Sequence, residues 1–388
     1  MSADVSPPSS LRILAVSETW QGSNAYAFVR AFRRAGHSVH VIADDAFAGT
    51  PWKSVPMRAA RRLLWPLIIR EAEGALVEQS KAFQPHLLFA FKGVMVTPAA
   101  VRSVQQQGGV AINFWPDVSV AAHGSLPPQV LPLYNWVFTT KSFGIADMAR
   151  HGVSRASFLP HGFDPETHRP ASPDALDPRL PCAASFIGTW SPKKEDILAA
   201  LLQRHGKLDL RIWGAQWQRA STLPPHALQQ REITGASYAA AISASRINIA
   251  LLSEARAGAS SGDLITSRTF HIPASGGFML HERSDEIGDY FAEDREAVFF
   301  TGADELADKI RFYLAHDDLR RRIAAAGHQR ALRSGYSIDD RAAVVLAKAR
   351  QLLSQQQRYA TTAPRGAATL QAAPSEQARV GAPLASET

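Results

Sequence analysis

The segment LRILAVSETWQGSNAYAFVRAFRRAGHSVHVI, residues 11–42, carries the pattern that decides the fold. Residues 11–17 form a short apolar run of the kind found in buried strands, and a polar loop follows it. Apolar side chains then recur at helical spacing over 26–32, until Gly36 interrupts the pattern. A second apolar run occupies 38–42. The segment therefore predicts a strand, a helix and a second strand parallel to the first.

The same alternation of apolar strands and helical segments continues along the chain. Strands are predicted over 87–91, 110–114 and 136–139 in the first half, and over 183–187, 208–213, 247–252, 278–280 and 297–300 in the second. Strands that alternate with helices form parallel sheets covered on both faces. We therefore predict an α/β protein with two doubly wound halves.

Changes in composition divide the chain into segments. The stretch PHGFDPETHRPASP, residues 160–173, is rich in Pro, Gly and Asp and predicts a hinge. The last residues lack periodicity and are too poor in apolar side chains to order themselves. We predict a flexible N-terminus at 1–10, a domain at 11–160, a hinge at 161–172, a second domain at 173–335, a helix at 336–354 that could pack back on the first domain, and a disordered tail at 355–388.

Charge and cysteine content limit the class of protein. The chain has 42 Lys and Arg against 35 Asp and Glu, a net charge of +7, which favours anionic partners and leaves peripheral membrane association open. Basic residues do not interleave with aromatic ones, so no nucleic-acid role is expected. The single Cys182 excludes an internal disulfide and favours a reducing compartment, here the cytoplasm. No apolar run is long enough to cross a bilayer.

Two loops of the second half have the composition of anion-binding sites. Ligands of open parallel sheets bind beyond the carboxyl ends of strands, where loops lead into helix N-termini. In GTWSPKK, residues 188–194, Gly188 follows a strand, and Lys193 and Lys194 could place cations beside a diphosphate. An exposed helix start explains the two lysines equally well. The sequence leaves both interpretations open.

The second loop leads into TSRTFHIPASGGFML, residues 266–280. Arg268 lies near the start of a predicted helix, where its charge and the helix dipole both attract an anion. A tight turn follows, which either lets the backbone approach a ligand or simply joins the helix to a strand. The turn residues are Ser275, Gly276 and Gly277. We therefore predict a positively charged gap between Gly188 and Arg268 that binds a pyrophosphate.

Three segments resemble those of a known family. SRTFHIPASGGFMLHERSDEIGDYFAEDREAVFFTGADEL, residues 267–306, resembles the C-terminal signature of CgeB-like (spore-maturation-type) glycosyltransferases, relatives of the retaining GT-B enzymes. SFIGTWSPKKEDIL, residues 185–198, resembles the start of their second domain, and LPHGFDPETHRP, residues 159–170, their hinge. The resemblance spans about residues 11–334. It implies the GT-B fold, with two Rossmann-like domains facing across a cleft, a nucleotide-sugar in the second domain, an acceptor in the first and no obligatory metal.

The resemblance also implies a donor-binding set and shows one departure from it. Relatives carry a glutamate after Arg-Thr-Phe, and often a second acid upstream, where this chain has His271 and Asp263. A neutral imidazole accepts one hydrogen bond and cannot offer a ribose diol the two oxygens of a carboxylate. His161, in the hinge, could contact the donor or only order the crossing. The predicted donor-binding residues are Gly22, His161, Gly188, Lys193, Lys194, Asp263, Arg268, His271, Ser275, Gly276 and Gly277.

Two residues of the first half are candidates for catalysis. Asp117 follows the predicted strand 110–114, and His123 lies in the same loop. Either could contact the transferred sugar or deprotonate an acceptor hydroxyl, or only order the loop. If the chemistry is retaining, the leaving phosphate can take that proton instead.

We therefore expect a hexosyltransferase-like enzyme that moves a sugar from a nucleotide-sugar, which serves as co-substrate without a further cofactor, to a hydroxyl of a glycan, lipid or protein. Because His271 replaces the usual glutamate, a catalytically weakened nucleotide-sugar-binding protein is the second hypothesis. A GT-B-type epimerase or nucleotide-dependent regulator is the third.

Overall fold

The computed structural model describes residues 8–48, 55–172, 176–254 and 259–362. Most of the predicted flexible N-terminus and the tail from 363 onward lie outside these residues. The described chain forms two parallel sheets, each covered by helices, which confirms the predicted pair of Rossmann-like α/β domains. We call the part built on the first sheet the first lobe and the part built on the second sheet the second lobe.

The first sheet, within the described residues, has six parallel strands in the order β2-β1-β3-β4-β5-β6. The strands are β1 (Arg12–Ser17), β2 (Ser38–Ala43), β3 (Leu87–Phe91), β4 (Val110–Trp115), β5 (Trp136–Thr139) and β6 (Ala156–Phe158). The helices are α1 (Asn24–Arg34), α2 (Asp44–Ala48), α3 (Val55–Phe83), α4 (Pro98–Gln106), α5 (Leu126–Val130) and α6 (Gly144–Arg150).

The opening strand, helix and strand form as their pattern predicts. Ser23 caps α1, because its side chain accepts hydrogen bonds from the first backbone N–H groups of the helix. Phe28 and Phe32 of α1 are fully buried, and both lie about 5 Å, ring centre to ring centre, from Phe89 of β3. These apolar contacts hold the helix on the sheet and fix where the loop after β1 emerges.

The second sheet has five described strands, all parallel, in the order β11-β10-β9-β7-β8. The strands are β7 (Cys182–Ile187), β8 (Leu210–Trp213), β9 (Ser245–Ala250), β10 (Met279–Glu282) and β11 (Val298–Phe300). The helices are α7 (Pro192–His205), α8 (Gly235–Ala244), α9 (Ser267–Ala274), α10 (Ile287–Tyr290), α11 (Gly302–Ala315), α12 (Asp317–Arg333) and α13 (Ile338–Thr362).

The last helix, α13, leaves the second lobe and packs on the first. Its buried residues Val345, Ala349 and Leu352 join the core around Phe28 and Phe114. The helix continues to Thr362, beyond residue 355, where the sequence predicted disorder. The helix extends past the predicted end because Leu352 is held in the core and the Gln-rich turns that follow it have good helix propensity.

The segment predicted as the hinge is tied to the start of α13. The N–H of Phe163 donates to the carbonyl of Tyr336, and the N–H of Ile338 donates to the carbonyl of Phe163. Arg30 of α1 forms an ion pair with the buried Asp164. These contacts hold the segment between the lobes against the start of α13 and against α1 of the first lobe.

No helix in the described ranges is both long enough and apolar enough to cross a membrane.

Candidate functional site

A cavity lies between the carboxyl edges of the two sheets and is lined by both lobes. Its volume is about 360 Å³, which suits a small molecule or cofactor. The first lobe contributes the loop after β1 and the end of β3. The second contributes the loops after β7 and β8, residues 232–235 and the start of α9.

The loops after β7 and β8 come together through two glycines. A Cβ atom on Gly214, whose φ is +134°, would lie 2.1 Å from the carbonyl oxygen of Gly188. A Cβ atom on Gly188 would lie 2.8 Å from Nη1 of Arg268. The approach at Gly214 requires glycine, because it meets backbone atoms, and the absence of a side chain at Gly188 leaves room for the arginine. The glycines therefore let the two loops and the arginine form one continuous wall of the cavity.

Arg268 is the cation of this wall. Its Nη2 donates to the carbonyl of Leu251 at 2.6 Å, and its Nη1 lies 3.5 Å from the carbonyl of Ile187. In the described part of the chain its Nε has no hydrogen-bond partner, and no carboxylate lies within ion-pair distance of the side chain. Burial lowers the pKa of Arg268, although a guanidinium stays charged in proteins.

The start of α9 adds to this positive potential. Its first turn, which begins at Ser267, contains no acidic residue, so the partial positive charge of the helix N-terminus is not offset locally. Arg268 lies in that same turn. The combination of a cation, a helix N-terminus and glycine-lined backbone can bind a phosphate group.

A neutral polar surface built around His271 lies next to the arginine. The imidazole rings of His271 and His168 stack with centres 3.7 Å apart and planes 16° apart, and Tyr238 meets both edge to face. Nε2 of His271 lies 3.2 Å from the carbonyl of Gly162. A carbonyl only accepts, so Nε2 carries the hydrogen, and Nδ1 is left as an acceptor.

Both imidazoles are held neutral. Burial, with a smaller contribution from His168, lowers the pKa of His271 well below its usual value. Burial and the charge of Arg30 lower the pKa of His168 to about 3. At neutral pH the pair can therefore contact a ligand as uncharged hydrogen-bonding and stacking groups, but it does not supply a cation.

The first lobe lines the cavity with aromatic and acidic side chains. Trp20 is 43% exposed, and Phe91 lies at the end of β3. The hydroxyl of Ser23 donates to Glu18 at 2.9 Å. Burial, Glu18 and Asp45 raise the pKa of the neighbouring Asp44 to about 6. This wall differs in chemistry from the cationic wall opposite and suits an uncharged polar ligand with apolar faces.

The two lobes touch at the rim of the cavity. A Cβ atom on Gly22, whose φ is +96°, would lie 2.4 Å from the backbone nitrogen of Gly235. Asn24 donates to the hydroxyl of Ser267 at 3.3 Å. The structure thus describes a closed arrangement, and the predicted site residue Gly22 lies at the closest approach between the loops.

Asp263 bridges the lobes rather than lining the cavity. Its carboxylate pairs with Lys141, which follows β5 in the first lobe, and both side chains are almost fully buried. The N–H of Ser260 also donates to Asp147 of α6 at 3.0 Å. The loop that carries Asp263 is therefore anchored on the first lobe.

The two lysines in the first turn of α7 point away from the cavity. Nζ of Lys193 pairs with Glu282 at 2.6 Å. Nζ of Lys194 donates to the carbonyl of Thr189 at 3.2 Å, and burial together with Arg268 lowers its pKa to about 8. Neither side chain lines the cavity, because both are directed into the second lobe. Their predicted role in donor binding stays a prediction.

The candidate catalytic residues Asp117 and His123 contact each other outside the cavity lining. The carboxylate of Asp117 lies 2.8 Å from Nε2 of His123 and 2.7 Å from Nζ of Lys92. Burial acts to raise the pKa of Asp117, but the hydrogen bond from His123 and the charge of Lys92 lower it below its usual range. The carboxylate of Asp117 is therefore already partnered, and the catalytic role of the two residues stays a prediction.

The remaining predicted residues lie behind the site. His161 is buried, and burial and Lys141 lower its pKa to about 3. The turn after α9 lies at the opposite end of that helix from Arg268. Ser275 ends the helix, Gly276 lies against Pro170, and Gly277 fits against Ile242 and Asn248. The turn glycines therefore permit close packing within the second lobe.

Several cavity residues were missed in the sequence. Gly214 follows β8 in the same way that Gly188 follows β7, and this second strand–glycine pattern could have identified it. Thr234, Gly235 and Tyr238 come from a segment that is distant from every quoted motif. Trp20 lies in the loop after β1, where the sequence indicates only Gly22 as a site residue. Their position depends on how the two lobes meet.

One buried acid stabilises the loop after β7. Glu195 of α7 accepts hydrogen bonds from the backbone N–H groups of Ser221 and Thr222 and from Nε1 of Trp190. Desolvation acts against it, yet these hydrogen bonds lower the pKa of Glu195 to about 2. The loop that begins at Gly188 is therefore braced from the side that faces away from the cavity.

Comparison with solved structures shows that the chain has the GT-B fold. Sucrose-phosphate synthase from Thermosynechococcus elongatus superimposes with a TM-score of 0.63 at 14% identity, over 89% of this chain and 100% of that one. HepE from Anabaena, in complex with UDP-glucose, gives 0.58 at 11% identity, over 87% and 100%. A glycosyltransferase from Rickettsia africae ESF-5 gives 0.58 at 12% identity, over 89% and 99%.

The sequence comparison adds a family for part of the chain. Residues 193–347 match a family model described as "Glycosyl transferase-like". This segment includes α9, with Arg268 and His271, and extends into α13. A comparison with curated protein sequences gives no match. The finer resemblance to CgeB-like enzymes stays a prediction.

Proposed function

We propose that this protein is a glycosyltransferase that transfers a sugar from a nucleotide-sugar donor to a hydroxyl acceptor. One observation carries the proposal: Arg268, with a free Nε and no ion-pair partner among the described residues, faces a cavity between two GT-B lobes. The match to the family model over 193–347 supports it. The complex of HepE with UDP-glucose supports a nucleotide-sugar as the ligand class.

In this proposal the donor diphosphate lies against Arg268, the start of α9 and the backbone at Gly188. These groups would stabilise negative charge as the bond between the sugar C1 and the phosphate oxygen breaks. His271 and Tyr238 would contact the uncharged part of the donor. The acceptor would lie on the first lobe, near Trp20, where an aromatic ring can stack on a sugar.

We further propose a retaining, metal-independent transfer of a hexose. Asp117 is already held by Lys92 and His123, so the leaving phosphate is the better base for the acceptor proton. The acceptor oxygen then bonds to C1 as the phosphate oxygen departs with that proton. Arg268 and the helix N-terminus would supply the charge stabilisation that a metal gives elsewhere.

Thermal unfolding in the presence of UDP, GDP, ADP and their hexose conjugates tests the proposal. A ligand at 100 times its Kd stabilises the folded state by about 2.7 kcal/mol, which raises the Tm of a chain of this size by several degrees. The stabilising donor is then incubated with hydroxyl acceptors in EDTA, and the anomer of the product is determined. Binding without turnover would favour the weakened binding protein, and isomerised donor would favour an epimerase. No stabilisation by any nucleotide would contradict all three.

A further inference from the structure

Helix α3 is much longer than the sheet that it covers. Its 29 residues extend about 43 Å, whereas β1 and β3, with 6 and 5 residues, extend roughly 20 Å. The second half packs on the lobe through the buried residues Ala72, Leu76 and Ser80. Because α3 returns from the end of β2 to the start of β3, its first half extends beyond the carboxyl edge of the sheet.

This first half of α3 exposes a group of leucines. Leu63 is 82% exposed, Leu67 62% and Leu64 42%. Positions 63 and 67 lie on one side of a helix, and position 64 is beside them. The other large exposed apolar side chains of the described chain are scattered singly, which is ordinary for a protein surface. Three neighbouring exposed leucines are unusual on a protein surface, and they indicate a contact surface.

The charged residues around these leucines are mostly arginines, and the nearest acid is Glu71, one turn after Leu67. Between 55 and 70 the charged residues are Arg58, Arg61, Arg62 and Arg70, with no Asp or Glu. Arg62 and Arg70 are exposed on either side of the leucines, and neither has a carboxylate partner within the described ranges. An apolar surface flanked by arginines is complementary to a lipid bilayer that carries anionic headgroups.

We propose that the described surface of α3 over residues 62–70 docks on an anionic membrane surface. The leucines would enter the boundary between headgroups and acyl chains, and Arg62 and Arg70 would contact lipid phosphates. A dimer of two copies through the same face fits less well, because it would bring Arg62 and Arg70 of both copies together with only Glu71 as a neighbouring acid. If the proposed function holds, docking would present the cleft, which opens at the same sheet edge, to acceptors borne on lipids.

Sedimentation with vesicles tests this docking in the full-length protein. We expect binding to vesicles of phosphatidylcholine with phosphatidylglycerol, weakened by salt, and much weaker binding to phosphatidylcholine alone. The double variant Leu63→Ser/Leu67→Ser should bind at least tenfold more weakly, because its apolar contact is lost. Arg62→Gln/Arg70→Gln should bind roughly 30-fold more weakly.

The matched control is Leu332→Ser, since Leu332 is 51% exposed on α12 but has no exposed leucine cluster around it. It should bind vesicles as the unaltered protein does. Thermal unfolding with and without nucleotide verifies that each variant folds, and it keeps this test separate from that of the glycosyltransferase proposal. Equal binding to both vesicle types, unchanged binding by the leucine variant, or a dimer that this variant abolishes would each overturn membrane docking.

Discussion

The two lobes share one architecture, but a carboxylate pairs with Lys92 in the first lobe and none pairs with Arg268 among the described residues of the second. In the first lobe, Lys92 and His123 converge on the carboxylate of Asp117. In the second lobe, Arg268 bonds only to main-chain carbonyls and retains an Nε without a partner among the described residues. A cation that is already neutralised attracts an added anion weakly, whereas an unneutralised one at a helix N-terminus attracts it strongly. The difference favours the second lobe as the place where the proposed donor diphosphate binds.

Two lysines of the second lobe, Lys193 and Lys194, differ from Arg268 in the same way. Lys193 pairs with Glu282, and Lys194 is buried between carbonyl and hydroxyl oxygens. Both follow Gly188 in the sequence by only a few positions, yet the cavity is lined by Gly188 and not by them. Whether a cation can bind a ligand therefore depends on its partners more than on its motif.

The largest expected effect is that of Arg268→Gln on nucleotide binding. Loss of a charged hydrogen-bonding group is worth about 1.5–3 kcal/mol, or roughly 10- to 100-fold in Kd. Calorimetric titration with the stabilising nucleotide measures it. The matched change Lys92→Gln, in the first lobe, should leave Kd within about threefold. Equal losses in both variants would remove the contrast between the lobes.

The next largest effect should come from Gly22→Ala. The new methyl group would lie 2.4 Å from the nitrogen of Gly235 and would hold the lobes apart. We expect kcat/KM for transfer to fall about tenfold, because small misplacements between bound groups are costly.

The control for this change is Gly36→Ala. Gly36 has a φ of +83°, and no atom lies within 4 Å of an added Cβ. This variant should lose about 1 kcal/mol of stability from backbone strain and keep its activity. Full activity of Gly22→Ala would show that transfer does not require the close approach of these two loops.

An effect of a different kind concerns the pH dependence of stability. The folded-state pKa of Lys194 is about 8, below the value near 10.4 of an unfolded lysine. Between these values the unfolded chain binds the proton more tightly, so the free energy of unfolding should rise with pH, by on the order of 1–3 kcal/mol in total. Urea unfolding from pH 7 to 10 measures the rise.

Lys194→Met should lose most of this rise, whereas Lys193→Met should keep it, because Lys193 is partly exposed and paired with Glu282. A flat profile in the unaltered protein would mean that Lys194 is not buried as the structure describes.

The smallest expected effect is that of Lys193→Gln on nucleotide binding. Since Glu282 already neutralises this lysine, its removal should change Kd by less than about threefold. The same titration used for Arg268→Gln measures it. A loss as large as that of Arg268→Gln would show that Lys193 leaves Glu282 to bind the donor.

Much of the fold could be predicted because its signals are local. The pattern over residues 11–42 correctly predicted β1, α1 and β2. Helix α3 was not predicted, since Pro66 interrupts the apolar run and removes a backbone donor. Strand β6 has only three residues and is held by its neighbour β5, so its own composition gives little signal.

The residues of the candidate site likewise fall into those that a local pattern predicts and those that it does not. A glycine that follows a strand, such as Gly188, and a cation at a helix start, such as Arg268, are recognisable because both features arise within a few residues of chain. The stack of His271 on His168 joins residues from different segments. No local pattern could indicate it.

Apolar periodicity along the chain was sufficient to establish two parallel, helix-covered sheets. The spacing of apolar residues within each strand or helix determines which of its faces is buried. Only the assembled lobes decided which cations remain free. The pairs Lys92–Asp117, Lys141–Asp263 and Lys193–Glu282 join residues that are far apart in sequence. Electrostatic attraction depends on distance in space, so the same lysines and arginines differ in function according to the carboxylates that folding brings beside them.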